Sequence, residues 1–283
     1  MNLSTLIDAQ TLSTRIRAGD VLVIDCRFEL ADPAAGARAH AQGHIPGAVY
    51  ASLDNDLSDL SKLGLGRHPL PDAAAFSATL SRWGWTPDTP VVSYDAANGA
   101  LAAARLWWML RLVGAHEAAV LDGGIAAWTQ AGFALDAGTT TRKPTRVDTA
   151  FDAAQIVYTD ALVEALKDAR TLLVDARAAL RFRGENETMD KVAGHIPGAV
   201  NRPFADNLDA DGRFKPAARL RAEFEALLGS RRSVDAIHSC GSGVTACHNL
   251  LAMEHAGLAG SRVYAPSWSG WSADPARPVA TNI

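Results

Sequence analysis

The chain has 283 residues, 48% of them apolar and 20% charged, the balance of a globular protein with a real core, which excludes disorder, collagen-like repeats and coiled coil. Twenty-seven basic against 31 acidic side chains leave a formal charge of −4. No basic field therefore invites nucleic acid or anionic lipid, and an anionic substrate must be held by local groups.

In chain order, residues 1–20 lack a basic segment followed by an apolar core and predict an amphipathic helical opening rather than a secretory signal. Residues 21–27 (VLVIDCR) predict a strand that ends in an acid and an arginine, and Gly43-His44-Ile45-Pro46-Gly47-Ala48-Val49 follows. Residues 90–95 (PVVSYD) predict a second strand. Residues 98–113 predict a helix with Leu101, Leu106, Trp108, Met109 and Leu112 on its apolar positions and Gly114 as its stop. Residues 136–149 are rich in Thr, hold Gly138 and Pro144 and have no apolar period, as a linker does.

Beyond the linker the pattern repeats. Residues 171–177 (TLLVDAR) match 21–27 at an offset of 150, and Gly194-His195-Ile196-Pro197-Gly198-Ala199-Val200 matches the earlier copy letter for letter at an offset of 151. Residues 235–240 (DAIHSC) align more loosely with 90–95, and 264–271 (YAPSWSGW) with 121–128 (LDGGIAAW). Two segments at nearly one offset mean a duplicated domain, with boundaries at 1–135, 136–154 and 155–283. Short Val/Ile/Leu runs without alternation fit strands buried on both faces. A second helix over 245–255 carries Leu250, Leu251 and Met253 before Gly257. The fold class is α/β, each domain a parallel sheet flanked by helices on both faces, with any site beyond the carboxyl ends of the strands. His44 and His195, and the pairs Asp25/Arg27 and Asp175/Arg177, occur in both halves and so belong to the shared fold.

The stretch free of Asp, Glu, Lys and Arg at residues 236–253 holds His238, Ser239, Ser242, His248 and Asn249, too polar to span a membrane. Three cysteines, Cys26, Cys240 and Cys247, are too few for a disulfide scaffold and fit a cytoplasmic chain with free thiols. Cys240 is the chemical candidate. It ends a strand and precedes a helix, with Gly241, Ser242, Gly243, Val244 and Thr245 between. A thiol there faces loop N–H groups and the positive end of a helix, which favour thiolate over the thiol's free pKa of about 8.5 and hold any anion attached to the sulfur. Cys26, inside a strand, and Cys247, on the following helix, are packing residues. The spacing of Cys240, Cys247 and His248 fits no usual zinc site, so neither metal nor cofactor is expected.

The loop Cys240-Gly241-Ser242-Gly243-Val244-Thr245-Ala246 resembles that of the mercaptopyruvate sulfurtransferases in the tandem rhodanese family, as do both repeated motifs and Ser267-Trp268-Ser269-Gly270-Trp271. The resemblance implies a non-catalytic first domain, with Asp95 at the cysteine's place, and a catalytic second domain. It implies sulfur transfer through a Cys240 persulfide from a small anionic donor to cyanide, a thiol or a dithiol protein such as thioredoxin. It also implies a donor-binding arginine at Arg181 and a Ser242, His68 and Asp54 relay, the three meeting only if the first domain caps the second domain's loop. The alternative for Ser242 is a plain hydroxyl in the anion cradle. The family's second substrate arginine falls on Asp190, which leaves Lys191 or Arg183 for that role. Where the family reads Asp-Gly-Ser-Trp-Ser, this chain has Ala265-Pro266-Ser267-Trp268-Ser269.

Three other readings compete. Thiosulfate is the rival donor, but Gly241 and Ser242 offer that dianion no basic side chain. A rhodanese-fold phosphatase needs an arginine to clamp phosphate, and none occurs between Cys240 and Arg262. A silent binding module describes the Asp95 half better than the Cys240 half.

Overall fold

The computed structural model describes residues 3–281, which form two compact units. Unit 1 takes the chain up to Asp59, Leu70–Asp152 and Asp211–Arg213; unit 2 takes Leu60–Pro69, Ala153–Ala210 and the chain from Phe214 onward. Unit 1 runs β1 (Leu6–Ile7), α1 (Ala9–Ala18), β2 (Leu22–Asp25), α2 (Ala35–Gln42), β3 (Val49–Tyr50), α3 (Ala73–Arg82), β4 (Val91–Tyr94), α4 (Ala103–Leu112), β5 (Ala118–Leu121) and α5 (Gly124–Gln130). Unit 2 repeats the order with β6 (Ile156–Val157), α6 (Thr159–Ala165), β7 (Leu172–Asp175), α7 (Ala179–Phe182), β8 (Val200–Asn201), α8 (Ala217–Leu228), β9 (Ala236–Ser239), α9 (Ala246–His255), β10 (Arg262–Tyr264) and α10 (Ser267–Trp271).

Each unit holds one five-stranded parallel sheet, ordered β1-β5-β4-β2-β3 and β6-β10-β9-β7-β8. The strands β2, β4, β7 and β9 are buried at every residue, which is why their sequences are unbroken apolar runs rather than alternating ones. Register repeats as well: Asp25 lies opposite Tyr94 and Asp175 opposite Ser239. Asp95 and Cys240 therefore leave their sheets at the same carboxyl-end position.

The two repeated motifs form one clamp per unit. Arg27 grips the Asp25 carboxylate and extends Nη2 to the Gly43 carbonyl at 2.6 Å. Arg177 grips Asp175 and reaches the Gly194 carbonyl at 2.8 Å. The arginine thus ties the end of the first central strand to the start of Gly-His-Ile-Pro-Gly, a bidentate charge-assisted arrangement that needs this acid-x-Arg spacing. Burial raises the Asp25 pKa, but hydrogen bonds from His40 and Arg27 outweigh it and hold the carboxyl below its usual range.

Two local outcomes differ from the sequence reading. The chain opens on a two-residue edge strand, β1, before α1, because so short a strand has no period to detect. α4 begins at Ala103 rather than near Asn98, since the N–H groups of Leu101, Ala102 and Ala103 turn to the Asp95 carboxylate. The segment read as a linker has no regular structure after Asp136 but is ordered along unit 1: His44 and Asp136 exchange backbone hydrogen bonds, and Thr145, Val147 and Thr149 bond to Ser81 and Ser77. Among the described residues no helix is long and apolar enough to cross a membrane.

His238, within β9, is fully buried with Nε2 3.2 Å from the Ser261 hydroxyl and Nδ1 without a hydrogen-bond partner among the described residues. Burial disfavours the imidazolium and lowers its pKa to about 3. The unfolded chain takes up this proton below about pH 6.5 and the folded one does not until about pH 3. The stability this gives is complete above 6.5 and is lost as pH falls. Chemical denaturation at a series of pH values is expected to show a His238 contribution of about 1.4 kcal/mol per pH unit between 6.5 and 4, absent in His238→Leu. Parallel profiles for the two proteins would contradict it.

Candidate active site

Cys240 follows β9, and the buried turn Gly241-Ser242-Gly243-Val244 leads through Thr245 into α9. The Gly243 N–H donates to Cys240 Sγ at 3.1 Å, so the loop curls over the sulfur. α10 fixes its other side: Trp268 and Ser269 N–H groups donate to the Cys240 and Gly241 carbonyls at 2.9 Å. The Ser267 hydroxyl accepts the Cys240 N–H at 3.1 Å and lies 3.9 Å from Sγ.

Ser267 holds φ +52°, a left-handed conformation costly for any residue with a Cβ. Its counterpart in unit 1 is Gly124 at φ +57°. The cysteine copy thus accepts backbone strain to place a hydroxyl beside the sulfur. Setting residues 121–128 against 264–271 exposes this Gly-to-Ser difference in the sequence, but only the dihedral gives it meaning.

Of the relay residues, His68 and Ser242 lie in unit 2 and meet, with Nδ1 2.8 Å from Oγ. Asp54 belongs to unit 1, where burial raises its pKa. The hydrogen bonds of Leu60–Pro69 explain how a histidine so early in the chain joins the loop. The Arg67 N–H donates to Ser269 Oγ at 2.9 Å, and a Cβ on Gly66 would stand 2.5 Å from the Pro266 carbonyl oxygen. The Ala-Pro variation before Ser-Trp-Ser therefore forms part of the seat for this segment.

The arginines sort differently from the sequence reading. Arg181 stands at the loop, with Nη1 3.5 Å from where a Cβ on Gly241 would be. Arg183 does not; it pairs with Glu185 at 2.8 Å in a partly exposed position. Among the described residues Lys191 makes no ion pair, and Asp190 bridges Arg181 Nη2 at 2.9 Å and Arg67 Nη1 at 2.7 Å. Arg67, which sequence reasoning passed over, has Nη2 3.2 Å from the Gly241 Cβ position. Its only sequence signal is adjacency to His68. Glu187 receives Arg181 and the N–H groups of Met189 and Asp190; burial pushes its pKa up, and these bonds more than reverse the shift.

Cys26 and Cys247 are also free and buried. Burial, with the nearby Asp95, Asp25 and Asp56 charges, pushes the Cys26 thiol well up, and Cys247 Sγ lies 3.4 Å from the Gly243 carbonyl oxygen.

The rhodanese-like domain family matches residues 8–131 and again 159–274. The chain is 48% identical to a probable 3-mercaptopyruvate sulfurtransferase of Pseudomonas aeruginosa, covering 99% of both chains. It is 40% identical to a putative thiosulfate sulfurtransferase of Mycobacterium tuberculosis, over 97% of this chain and 96% of that one. Its fold superposes on the 3-mercaptopyruvate sulfurtransferase of Leishmania major with a TM-score of 0.85 at 30% identity, covering 95% of this chain and 74% of the other. The chain belongs to the rhodanese family, as a sulfurtransferase with two tandem rhodanese-like domains.

Proposed function

We propose that this sulfurtransferase takes sulfur from 3-mercaptopyruvate onto Cys240 as a persulfide, releases pyruvate, and passes the sulfur to a thiophilic acceptor: cyanide, a thiol, or a dithiol protein such as thioredoxin. The observation that carries this reading is the buried Cys240 sulfur under the Gly243 N–H, with the guanidinium of Arg181 at the adjacent Gly241. The Cys240 thiolate attacks the donor's sulfur. An S–S bond forms as the C–S bond breaks, and the electron pair leaves on carbon as the enolate of pyruvate. The donor's thiol proton finishes on that carbon as part of the methyl group. The acceptor then attacks the outer sulfur and restores the thiolate.

Each group has a physical task. The loop N–H groups hold negative charge on the outer sulfur, and the end of α9 adds its dipole. Arg181 offers the donor carboxylate a charge-assisted hydrogen bond. The Ser242 hydroxyl and His68, in contact at 2.8 Å, are placed to move the proton between donor sulfur and enolate carbon. Gly241, Gly243, Val244 and Thr245 shape the cradle.

The donor assignment rests on charge. Positions 241 and 242 carry no basic side chain, so thiosulfate, a dianion, finds no cation on the two residues that follow the sulfur. On the purified chain with cyanide as acceptor, kcat/KM is expected to be at least about 10-fold higher for mercaptopyruvate than for thiosulfate. Higher kcat/KM for thiosulfate would overturn the donor. Failure of the Cys240 peptide to gain one sulfur atom, with donor present and acceptor withheld, would overturn the persulfide.

A further inference from the structure

Unit 1 carries a cavity of about 400 Å³ whose wall holds none of the residues assigned to sulfur transfer. Its size is within the usual range for a small-molecule site. Arg142 and Pro144, from the Thr-rich segment read as a linker, border it at the surface, and His40 and Trp83 line it from the buried side. Val49 and Tyr50 add apolar wall between them.

His40 carries more chemistry than the fold requires. In unit 2 its place is taken by Phe182, which stacks on His195 at 3.8 Å and accepts the His195 Nδ1–H on its carbonyl at 2.7 Å. His40 stacks on His44 at 3.9 Å and accepts in the same way at 2.8 Å. A flat ring is all the scaffold needs there. The imidazole adds two polar atoms to a side chain that is only 5% exposed, and Nδ1 donates to the Asp25 carboxylate at 3.0 Å. Asp175 is gripped by Arg177 without a histidine, so the clamp does not need this bond. With its proton on Nδ1, the neutral ring has a lone pair on Nε2. Nε2 has no hydrogen-bond partner among the described residues, an acceptor in need of a donor.

Two further groups of the wall are unpaired among the described residues. Trp83 is 3% exposed and its indole N–H has no hydrogen-bond partner. The Arg142 guanidinium has no ion-pair partner, whereas Arg82, also at the cavity, is taken by Asp56. The Asp25 charge behind His40 is likewise answered by Arg27. Arg142 is therefore the surplus cation of the wall, and it matches one carboxylate. The lone pair on His40 Nε2 matches a hydroxyl, and Val49, Tyr50 and Pro144 suit an apolar body between the two.

We propose that this cavity is a second binding site, sharing no residue with the Cys240 loop, for a small organic monoacid that also bears a hydroxyl. Arg142 holds the carboxylate, His40 Nε2 accepts from the hydroxyl, and the Trp83 N–H donates to a ligand oxygen. The site stands whether or not mercaptopyruvate is the sulfur donor, because none of its residues takes part in that reading.

The test titrates para-hydroxyphenylacetate into the isotope-labelled full chain, with calorimetry for affinity and the indole N–H resonances for position. Saturable one-to-one binding is expected, with movement of the indole resonance that Trp83→Phe removes. Phenylacetate, which lacks the hydroxyl, is expected to bind about 5- to 10-fold more weakly, and para-hydroxyphenylacetamide, which lacks the charge, about 10- to 100-fold more weakly. Arg142→Gln, at an exposed position, should erase the preference for acid over amide. His40→Phe, which places unit 2's own residue in unit 1, should erase the preference for the hydroxyl. Both variants should transfer sulfur at the wild-type rate. No binding, or binding that moves other indole resonances and leaves that of Trp83 still, would overturn the site. Equal wild-type affinities for acid and amide would sink the role of Arg142, and equal affinities with and without the hydroxyl that of His40. If His40→Phe or Trp83→Phe does not fold, Arg142→Gln and the three ligands on the wild-type chain decide alone.

Discussion

Cys240→Ser is expected to lower sulfur transfer to cyanide by about 10^4-fold or more, the loss typical of removing a covalent nucleophile, while leaving the fold in place. Serine fits the same buried space, and its hydroxyl can take the Gly243 N–H that now points at the sulfur. The loop, α10 and the arginines should therefore stay where they are. What serine cannot do is share a sulfur–sulfur bond, so the donor's sulfur has nowhere to rest. The contrast lies in the other two thiols. Cys26 is buried at the end of β2 with nearby carboxylates that push its pKa well up, and Cys247 is the second residue of α9. Cys26→Ser and Cys247→Ser are expected to keep most of the activity and to cost about 1–2 kcal/mol of stability each, from burying a hydroxyl, which loses more hydration than a thiol does. The check is initial-rate assay of all three variants beside thermal melting. Retained turnover in Cys240→Ser, or its loss in either of the others with the fold intact, would contradict the assignment.

The features legible in the sequence are those whose chemistry is local. The duplicated clamp needs an acid, an arginine two residues on, and a glycine carbonyl within the arginine's reach; both copies therefore had to keep the same letters. The Cys240 loop is legible for the same reason, because the residues that curl over the sulfur follow it directly in the chain. Two-residue strands such as β1 and β3 were not visible, since their existence depends on a neighbouring strand rather than on a period. Arg67 was not visible either. Its partner Asp190 is 123 residues away, and the pairing exists because Leu60–Pro69 packs with unit 2 although the chain order puts it in the first half. Asp190 reads in sequence as a missing arginine; in three dimensions it is the carboxylate that organises two others. Chain order was informative for the scaffold and misleading for the arginines beside Gly241.

The first half of the repeat makes the second strong prediction. Asp95 occupies in unit 1 the position of Cys240, and the backbone follows: Ile125 N–H donates to the Asp95 carbonyl at 3.0 Å, as Trp268 N–H does to Cys240. The Asp95 carboxylate, fully buried, accepts five backbone N–H groups. Ala97 and Gly99 donate to Oδ1, and Leu101, Ala102 and Ala103 to Oδ2, all between 2.8 and 3.1 Å. The anion cradle of the fold is thus present in unit 1 and is filled by the chain's own carboxylate. Asp95→Ala would leave five buried donors facing a void. At about 1–3 kcal/mol for each uncompensated buried polar group, reduced by water entry and loop relaxation, the expected loss is about 3–5 kcal/mol. Asp95→Asn should be nearly as costly, because whichever way the amide is turned its NH2 faces two or three N–H groups. Urea unfolding followed by tryptophan fluorescence, to which Trp83, Trp85, Trp107, Trp108 and Trp128 of unit 1 contribute, measures the loss. A change below about 1 kcal/mol for Asp95→Ala would show that the carboxylate does not hold the loop. Asp95→Cys in a Cys240→Ser background is expected to stay inactive, since the arginines and the Ser242–His68 pair belong to the other unit. That outcome would show that a thiol in the cradle is not sufficient for this chemistry.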